Sequence, residues 1–213
     1  MSDDKELPAG WVWTTLGDVC VDSQYGWTTS ANAEGEILFL RTTDITSGSI
    51  NWDSVPYCLE PPADVEKYLL HDGDIVISRA GSVGYSILIK YPRRAVFASY
   101  LIRFRPKIDP QYTAYFLQSP SYWKAISEQR LGIAIPNVNA SKLRQINFPL
   151  APPAEQRWWL DRIAEHVGVS LGITDEDLMA GEFQGRGGLF KARQVFGDEL
   201  PVLLDELNGV LVG

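Results

Sequence analysis

Short apolar segments rich in β-branched and aromatic residues recur in the first hundred positions and predict strands. They cover residues 11–16, 37–41, 74–78, 85–90 and 95–105. Clusters of glycine, serine, asparagine and proline separate them and predict turns at residues 28–35, 46–51, 81–84 and 91–94. The first half of the chain is therefore predicted to consist mainly of short strands.

The hydrophobic period changes after residue 110 and predicts helices. One is expected around residues 112–117, and a second starts at Ser119-Pro120 and continues through Ile126. A short helical stretch follows Asn139, residues 146–150 are extended, and another helix covers about residues 154–166. Strands followed by gathered helices predict an α+β (α/β) fold with a twisted sheet.

Three segments differ in character along the chain. Residues 1–152 predict a globular domain, 153–168 a helix, and 169–213 a linker with a helical tail. Glycines between residues 181 and 188 predict a flexible junction. The tail carries one apolar stripe at helical spacing, formed by Leu200, Leu203, Leu204, Leu207 and Leu211. Such a helix docks on its own domain or on a partner, and the sequence leaves both open.

Composition narrows the class of protein. Hydrophobic residues make up 45% and charged residues 22% of the 213 positions, as in soluble globular proteins. No apolar run approaches the roughly 20 residues of a membrane span, and the acidic start does not resemble a signal peptide. Two cysteines, Cys20 and Cys58, are too few for a disulfide framework and are expected to be reduced and buried. We expect a cytoplasmic protein with no membrane partner.

Charge is distributed unevenly along the sequence. The net charge of −8 by itself disfavours a nucleic-acid partner. Residues 79–144, however, carry 11 basic and 2 acidic side chains, a net of +9, whereas residues 1–78 and 145–213 have nets of −11 and −6. Such a basic block suits phosphate neutralisation, although it is equally compatible with a solvated face that balances acidic neighbours.

Signatures of catalysis are missing from the sequence. The nuclease pattern of Asp or Glu two residues before Lys occurs only at Asp3-Asp4-Lys5. The segment Asn147-Phe148-Pro149-Leu150 is not the loop of an amino-methyltransferase. No phosphate-binding loop ends in Gly-Lys-Ser/Thr. His71 and His166 do not stand at metal-ligand spacing from either cysteine. We therefore expect no catalytic residue, no metal and no cofactor.

Five segments in a fixed order carry a family resemblance between Leu7 and about Glu165. They are Leu7-Pro8-Ala9-Gly10-Trp11 with Leu16-Gly17-Asp18; Arg41-Thr42-Thr43-Asp44-Ile45 with Gly48-Ser49-Ile50; His71 to Arg79 with Gly81-Ser82-Val83-Gly84; Gly132 to Val138 with Lys142-Leu143; and Pro149 to Arg157. Together they resemble a single target-recognition domain of the specificity subunit of type I restriction–modification systems.

The resemblance implies a domain that contacts one half of a split DNA target in the major groove, followed by a spacer helix. Complete subunits of this family have two such domains and position methyltransferase subunits, together with motor–nuclease subunits when restriction occurs. One domain implies a half-subunit that pairs with a second copy, or a fragment. Residues 1–152 would then be the recognition domain and 153–168 the spacer-type helix.

The chain departs from the family pattern after residue 157. Gly168 and Gly172 interrupt the helix that begins at Trp158-Trp159-Leu160, which puts pairing through a long coiled spacer in doubt. The segment from Phe183 onward does not resemble the family. It is similar to the C-terminal segment of motor–nuclease subunits, which implies that the tail engages the methyltransferase subunit.

Candidate DNA-binding residues fall into two groups. Phosphate contacts are predicted for basic residues and the glycine loop, where the alternatives are an ordinary tight turn and pairing with acidic neighbours: Arg79, Ser82, Arg93, Arg94, Arg103, Arg105, Lys107 and Lys142. Base reading is predicted for loop residues that carry donors or aromatic rings: Gln24, Tyr25, Trp27, Thr28, Thr29, Arg130 and Asn137. Tyr25 and Trp27 are equally compatible with the core. Trp11, Trp13, Trp158 and Trp159 are assigned to packing.

Two functional hypotheses follow from these features. The first is a double-stranded-DNA specificity module that works with a methyltransferase subunit. The second is a regulatory protein, derived from such a domain, which binds the methyltransferase without reading DNA; the acidic flanks motivate it.

Overall fold

The computed structural model describes residues 7–130 and 137–161 of the chain. Ten strands are formed in these residues: β1 (Val12–Thr15), β2 (Cys20–Tyr25), β3 (Ala31–Asn32), β4 (Leu38–Leu40), β5 (Tyr57–Cys58), β6 (Ile75–Ser78), β7 (Ser86–Leu88), β8 (Ala95–Phe97), β9 (Leu101–Pro106) and β10 (Asn147–Leu150). The helices are α1 (Thr42–Ile45), α2 (Pro110–Phe116), α3 (Pro120–Arg130), α4 (Ala140–Arg144) and α5, which is described over residues 153–161, with a 3-10 turn at Glu66–Tyr68.

The strands form three sheets. A central sheet has the order β2-β9-β6-β7 and is antiparallel throughout. A second sheet has the order β3-β5-β4-β8, in which only the β4–β8 pair is parallel. The third is the antiparallel pair β1–β10, which joins the start of the described chain to the segment before α5.

The core is layered, with the central sheet buried on both faces. Its Ile75, Ile77, Ile102 and Phe104 pack with residues of α2, α3, α4 and β10. On its other face, Val76 and Leu101 pack against Leu38, Leu40 and Phe97 of the second sheet. This double burial explains why β6, Ile75–Ser78, is an uninterrupted buried run instead of an alternating one.

Local capping fixes the helices that the sequence predicts. Asp109 accepts from the backbone N–H groups of Gln111 and Tyr112 at the start of α2, where Pro110 occupies the first turn. Asn139 likewise accepts from the N–H of Lys142 (2.8 Å) at the start of α4. These caps leave fewer unsatisfied donors at helix ends that lie against the central sheet.

The predicted α+β class is confirmed. Where the 95–105 run predicts one strand, the structure has β8 and β9 in different sheets, with a turn at residues 98–100 between them. Gln24 and Tyr25, predicted in a loop, are the last residues of β2. Both cysteines are free and buried, as expected. The tail and the end of the predicted 154–166 helix lie outside the described residues. None of the described helices is long and apolar enough to cross a membrane.

Candidate nucleic-acid interface

The candidate site residues lie at two opposite ends of the central sheet. We call the Arg79 end the one where β2 ends at Tyr25, β6 ends at Ser78 and β9 begins at Leu101. We call the Asp74 end the one where β6 begins and β9 reaches Pro106. The Arg79 end gathers most of the predicted base-reading residues and part of the phosphate group: Gln24, Tyr25, Trp27, Thr28, Thr29, Arg79, Ser82 and Asn137.

A turn at residues 98–100 joins the loops of the Arg79 end. The N–H of Ser99 donates to the carbonyl of Trp27 (3.0 Å), and the N–H of Arg79 donates to the carbonyl of Tyr100 (2.9 Å). Tyr100 is 61% exposed between these loops, which makes it a candidate contact residue that the sequence pattern missed. The small residues Ala98 and Ser99 within an otherwise bulky run were the available signal for a turn.

Gly26 holds the end of β2 against this turn. A Cβ at this position would lie 2.2 Å from the carbonyl oxygen of Ala98 and 2.3 Å from that of Phe97. The close approach permits the N–H of Trp27 to donate to Phe97 (2.7 Å) and the N–H of Gly26 to donate to Leu101 (3.1 Å). A glycine is therefore required here by backbone contact.

Arg79 is fixed between an aromatic ring and an amide. Its guanidinium lies 4.9 Å from the centroid of the Tyr25 ring, and Nη2 donates to Oδ1 of Asn137 (3.3 Å). The carbonyl of Arg79 accepts from the N–H of Val138 (3.0 Å). The Tyr25 hydroxyl in turn accepts from the N–H of Ala140 at the start of α4 (2.9 Å). Three predicted site residues from distant parts of the chain thus form one cluster.

The glycine loop that follows Arg79 is braced from behind by α3. The buried Tyr122 hydroxyl donates to the carbonyl of Gly84 (2.8 Å), and a Cβ on Gly84 would lie 3.0 Å from Ile126. The N–H groups of Val83, Gly84 and Tyr85 donate to carbonyls of Gly81, Ser78 and Ser82. Because those donors are engaged within the loop, they are not directed outward as a phosphate cradle would require.

Basic residues at the Asp74 end are engaged mostly with acidic side chains. Asp74 is 1% exposed and accepts from Nε (2.8 Å) and Nη2 (3.1 Å) of Arg105 and from the N–H of His71 (2.9 Å). Nε of Arg103 lies 4.0 Å from the same carboxylate. The hydrogen bond to Asp74 raises the pKa of Arg105, whereas burial lowers the pKa of Arg103.

Among the predicted phosphate contacts, Arg103 has a buried side chain that is bound within the domain. Its side chain is 5% exposed, and Nη1 donates to the carbonyls of Leu69 (2.9 Å) and Lys67 (3.3 Å). The guanidinium also stacks over the Phe97 ring at 5.6 Å. In this conformation Arg103 joins strand β9 to the segment before β6 and has no exposed donor edge.

The remaining basic candidates differ in how they are engaged. Arg93 pairs with the exposed Asp53, and Nζ of Lys107 donates to the carbonyl of Asp18 (3.2 Å). Arg94 is exposed, and within residues 7–130 and 137–161 no acidic side chain pairs with it. Lys142 is on α4, and the side chain of Arg130 lies outside the described residues. The basic block is therefore partly balanced by the acidic first segment.

Trp27 is partly buried at the Arg79 end and packs against the cluster that contains Phe39 and Val96. Its indole N–H donates to the carbonyl of Glu60 (2.8 Å), and its ring meets Tyr68 edge-on at 5.4 Å. These contacts fit the packing alternative for Trp27, and its contact with DNA stays a prediction. His71 is exposed, and its Nδ1 is 2.9 Å from Nη2 of Arg105. No group of three metal-ligating side chains is found in the part of the chain that the structure describes.

The α+β domain thus gathers an aromatic ring, an amide and an arginine at one end of its central sheet, and sequence comparison assigns the family of this domain. The chain belongs to the type I restriction modification DNA specificity domain family, whose model matches residues 8–168. The model of the EcoEI R protein C-terminal region also matches, over residues 127–212. The predicted similarity of the tail to a motor–nuclease subunit is consistent with this second match.

Curated relatives and solved structures agree with the family. The chain is 27% identical over 168 residues to the EcoEI specificity subunit of Escherichia coli, covering 72% of this chain and 28% of that protein. It is 27% identical over 184 residues to the EcoAI specificity subunit of the same organism, covering 78% and 30%. The chain therefore spans less than a third of the length of these relatives.

Two solved structures share the fold. The HsdS subunit from Thermoanaerobacter tengcongensis has a TM-score of 0.57 at 22% identity, with 99% of this chain and 47% of that chain covered. A chain from a structural study of complex assembly and conformational transition of the type I R-M system has a TM-score of 0.61 at 21% identity, with 100% and 47% covered. In each case the match covers about half of the solved chain.

Proposed function

We propose that this chain recognises a specific double-stranded DNA sequence and directs separate methyltransferase and nuclease subunits, with no catalysis of its own. The observation that carries the proposal is the cluster at the Arg79 end, where Tyr25, Arg79 and Asn137 converge in a DNA specificity domain. Stacked and hydrogen-bonded donors of this kind are suited to base edges, whereas exposed cations such as Arg94 are suited to phosphates.

We propose a cytoplasmic location and the role of one recognition domain, either as a half-subunit or as part of a longer specificity subunit. Its match covers 28–30% of the curated specificity subunits and 47% of the solved chains. A module of this size reads one half of a split target, so two copies, or one copy with another specificity domain, are needed to read both halves. The methyltransferase subunit is the proposed platform that holds them together.

The tail is proposed to bind the methyltransferase subunit. Residues 127–212 match a C-terminal region of an R protein, and the leucines of the tail form one apolar stripe at helical spacing. Replacing Leu203, Leu204 and Leu207 with serine in the full chain should weaken methyltransferase binding and leave the DNA preference unchanged. Unchanged methyltransferase binding would argue against this role of the tail.

Selection from a random duplex library tests the central proposal. The full chain, with and without its methyltransferase subunit, is incubated with the library, and bound duplexes are sequenced. Enrichment of one short motif supports recognition by a single domain, and a symmetric split pair supports reading by two copies. Absence of any motif, together with tight methyltransferase binding, would contradict sequence recognition and favour the regulatory alternative.

A further inference from the structure

We infer that Arg79 reads a guanine in the DNA target and that Tyr25 and Asn137 position it for that contact. The inference rests on the proposed function and specifies which base the Arg79 end accepts. The starting observation is that the guanidinium is held before any ligand is present, on the Tyr25 ring at 4.9 Å and against Asn137 at 3.3 Å.

The conformation of Arg79 is restricted from several sides. Its backbone N–H and carbonyl are both engaged, with Tyr100 (2.9 Å) and Val138 (3.0 Å). Its Nε is buried and has no hydrogen-bond partner within the described residues. Because Nε is enclosed and Nη2 donates one N–H to Asn137, the remaining N–H groups of Nη1 and Nη2 are the donors left for a ligand. Because this side chain is already ordered, binding requires little further loss of rotamer freedom.

The polar groups of Arg79 and Asn137 that remain for a ligand are all hydrogen-bond donors. Arginine only donates, so Oδ1 of Asn137 faces Arg79 and the amide N–H groups of Asn137 are left for a ligand. The major-groove edge of guanine has two acceptors, N7 and O6, whereas that of adenine has one acceptor and one donor. A donor-only pair therefore matches guanine and sets donor against donor on adenine.

A phosphate contact at the same place is less well supported by the geometry. The adjacent loop directs the N–H groups of Val83, Gly84 and Tyr85 to its own carbonyls. The Tyr25 ring and the Asn137 amide hold the guanidinium at two points, and a held guanidinium matters for a planar base edge more than for a phosphate, which accepts from many directions. Arg94, exposed and without an acidic partner in the described residues, has the freedom typical of a phosphate contact.

The experiment compares library selections by the wild-type protein and matched variants. Arg79→Ala is expected to remove a guanine preference of about 5- to 150-fold at one position of the motif and to retain the other positions; this is the fold-change that corresponds to about 1–3 kcal/mol per bidentate contact. Arg79→Lys keeps the charge but not the fork, and is expected to lose the same preference. Tyr25→Ala removes the ring beneath the guanidinium and should weaken this preference.

Arg94→Ala is the matched control for a cation outside the cluster. Because Arg94 precedes β8 and lies at the opposite end of this strand from the 98–100 turn, Arg94→Ala should leave the motif and its guanine preference unchanged, whatever Arg94 contributes to affinity. If Arg79→Ala instead lowers the affinity for all sequences equally, as loss of a phosphate contact would, the guanine assignment is overturned while DNA recognition stands. The same holds if Arg79→Ala leaves the motif unchanged while its urea unfolding midpoint equals that of the wild-type protein. If the wild-type protein enriches no motif, the proposed function fails and this inference fails with it.

Discussion

Replacing Asp74 with asparagine tests whether the basic residues at the Asp74 end are structural. The carboxylate is 1% exposed and accepts hydrogen bonds from Arg105 and from the N–H of His71, with Arg103 at 4.0 Å. Asparagine keeps the shape but has a single acceptor oxygen and presents an N–H₂ group to neighbouring donors. The substitution removes the negative charge and leaves the positive charge of Arg103 buried.

The size of the effect follows from these contacts. Each hydrogen bond to a charged group contributes about 1.5–3 kcal/mol, and breaking a buried ion pair from one side costs about 3–5 kcal/mol. Arg105 is 38% exposed and can regain water, so we take about 3 kcal/mol as the expected loss in free energy of unfolding. With a urea dependence of about 1–3 kcal/mol per molar, the unfolding midpoint should fall by roughly 1–3 M.

Urea unfolding followed by circular dichroism measures this change, and the surface pair Arg93–Asp53 supplies the control. Both side chains of that pair are more than half exposed, so Asp53→Asn should change the free energy of unfolding by about 0–1 kcal/mol. A loss below 1 kcal/mol for Asp74→Asn would refute the structural role. It would return Arg103 and Arg105 to the list of candidate phosphate contacts.

Three further perturbations address the supports of the Arg79 end and the buried thiol. Gly26→Ala would place a Cβ 2.2 Å from the carbonyl oxygen of Ala98, so thermal unfolding should show a loss of about 1–3 kcal/mol; an unshifted melting temperature would contradict the close approach. Tyr122→Phe removes a buried hydrogen bond to Gly84 and should lower the free energy of unfolding by about 1–3 kcal/mol, as measured by urea unfolding. A variant as stable as the wild-type protein would contradict this contribution. Burial raises the pKa of the Cys20 thiol from 9.0 to about 12, so its stabilising contribution is complete below pH 9 and is lost as the pH rises toward 12. Thiol labelling at pH 8 should reach Cys20 only in urea, and rapid labelling of the folded protein would refute its burial.

Local sequence patterns predicted β4, β6 and β9 because these strands carry their own hydrophobic signal, but they missed the two-residue strand β5, which also lies in the middle of its sheet. The β6 strand is buried on both faces and reads as an apolar run. The β2 strand was missed since it is an edge strand of mixed composition, with Val21 61% exposed, and is held largely by backbone pairing to β9. Such pairing joins residues about 80 positions apart and leaves little trace in the local period.

The members of the candidate site were visible in the sequence, but their proximity was not. Tyr25 and Asn137 were predicted as base-reading loop residues and Arg79 as a phosphate contact at the end of a strand, in three separate segments. Their contact depends on the pairing of β2 and β6 with β9 and on the bridge between Ala80 and Asn137. These are long-range features of topology, which no window of residues encodes.

The pairing of charged side chains shows why a basic segment of the sequence does not form a continuous basic surface. The segment 79–144 has a net of +9, yet Arg103 and Arg105 surround Asp74 and Arg93 pairs with Asp53, both acids of the first segment. A cation already paired with a carboxylate must exchange that partner to neutralise a phosphate, so it adds less to counterion release than an unpaired one. Specific binding by this domain should therefore depend on a few well-placed side chains at the Arg79 end more than on its summed positive charge. Under the proposed function, side chains at the Arg79 end would select the sequence, while the net negative charge of the chain would limit binding to DNA of other sequences.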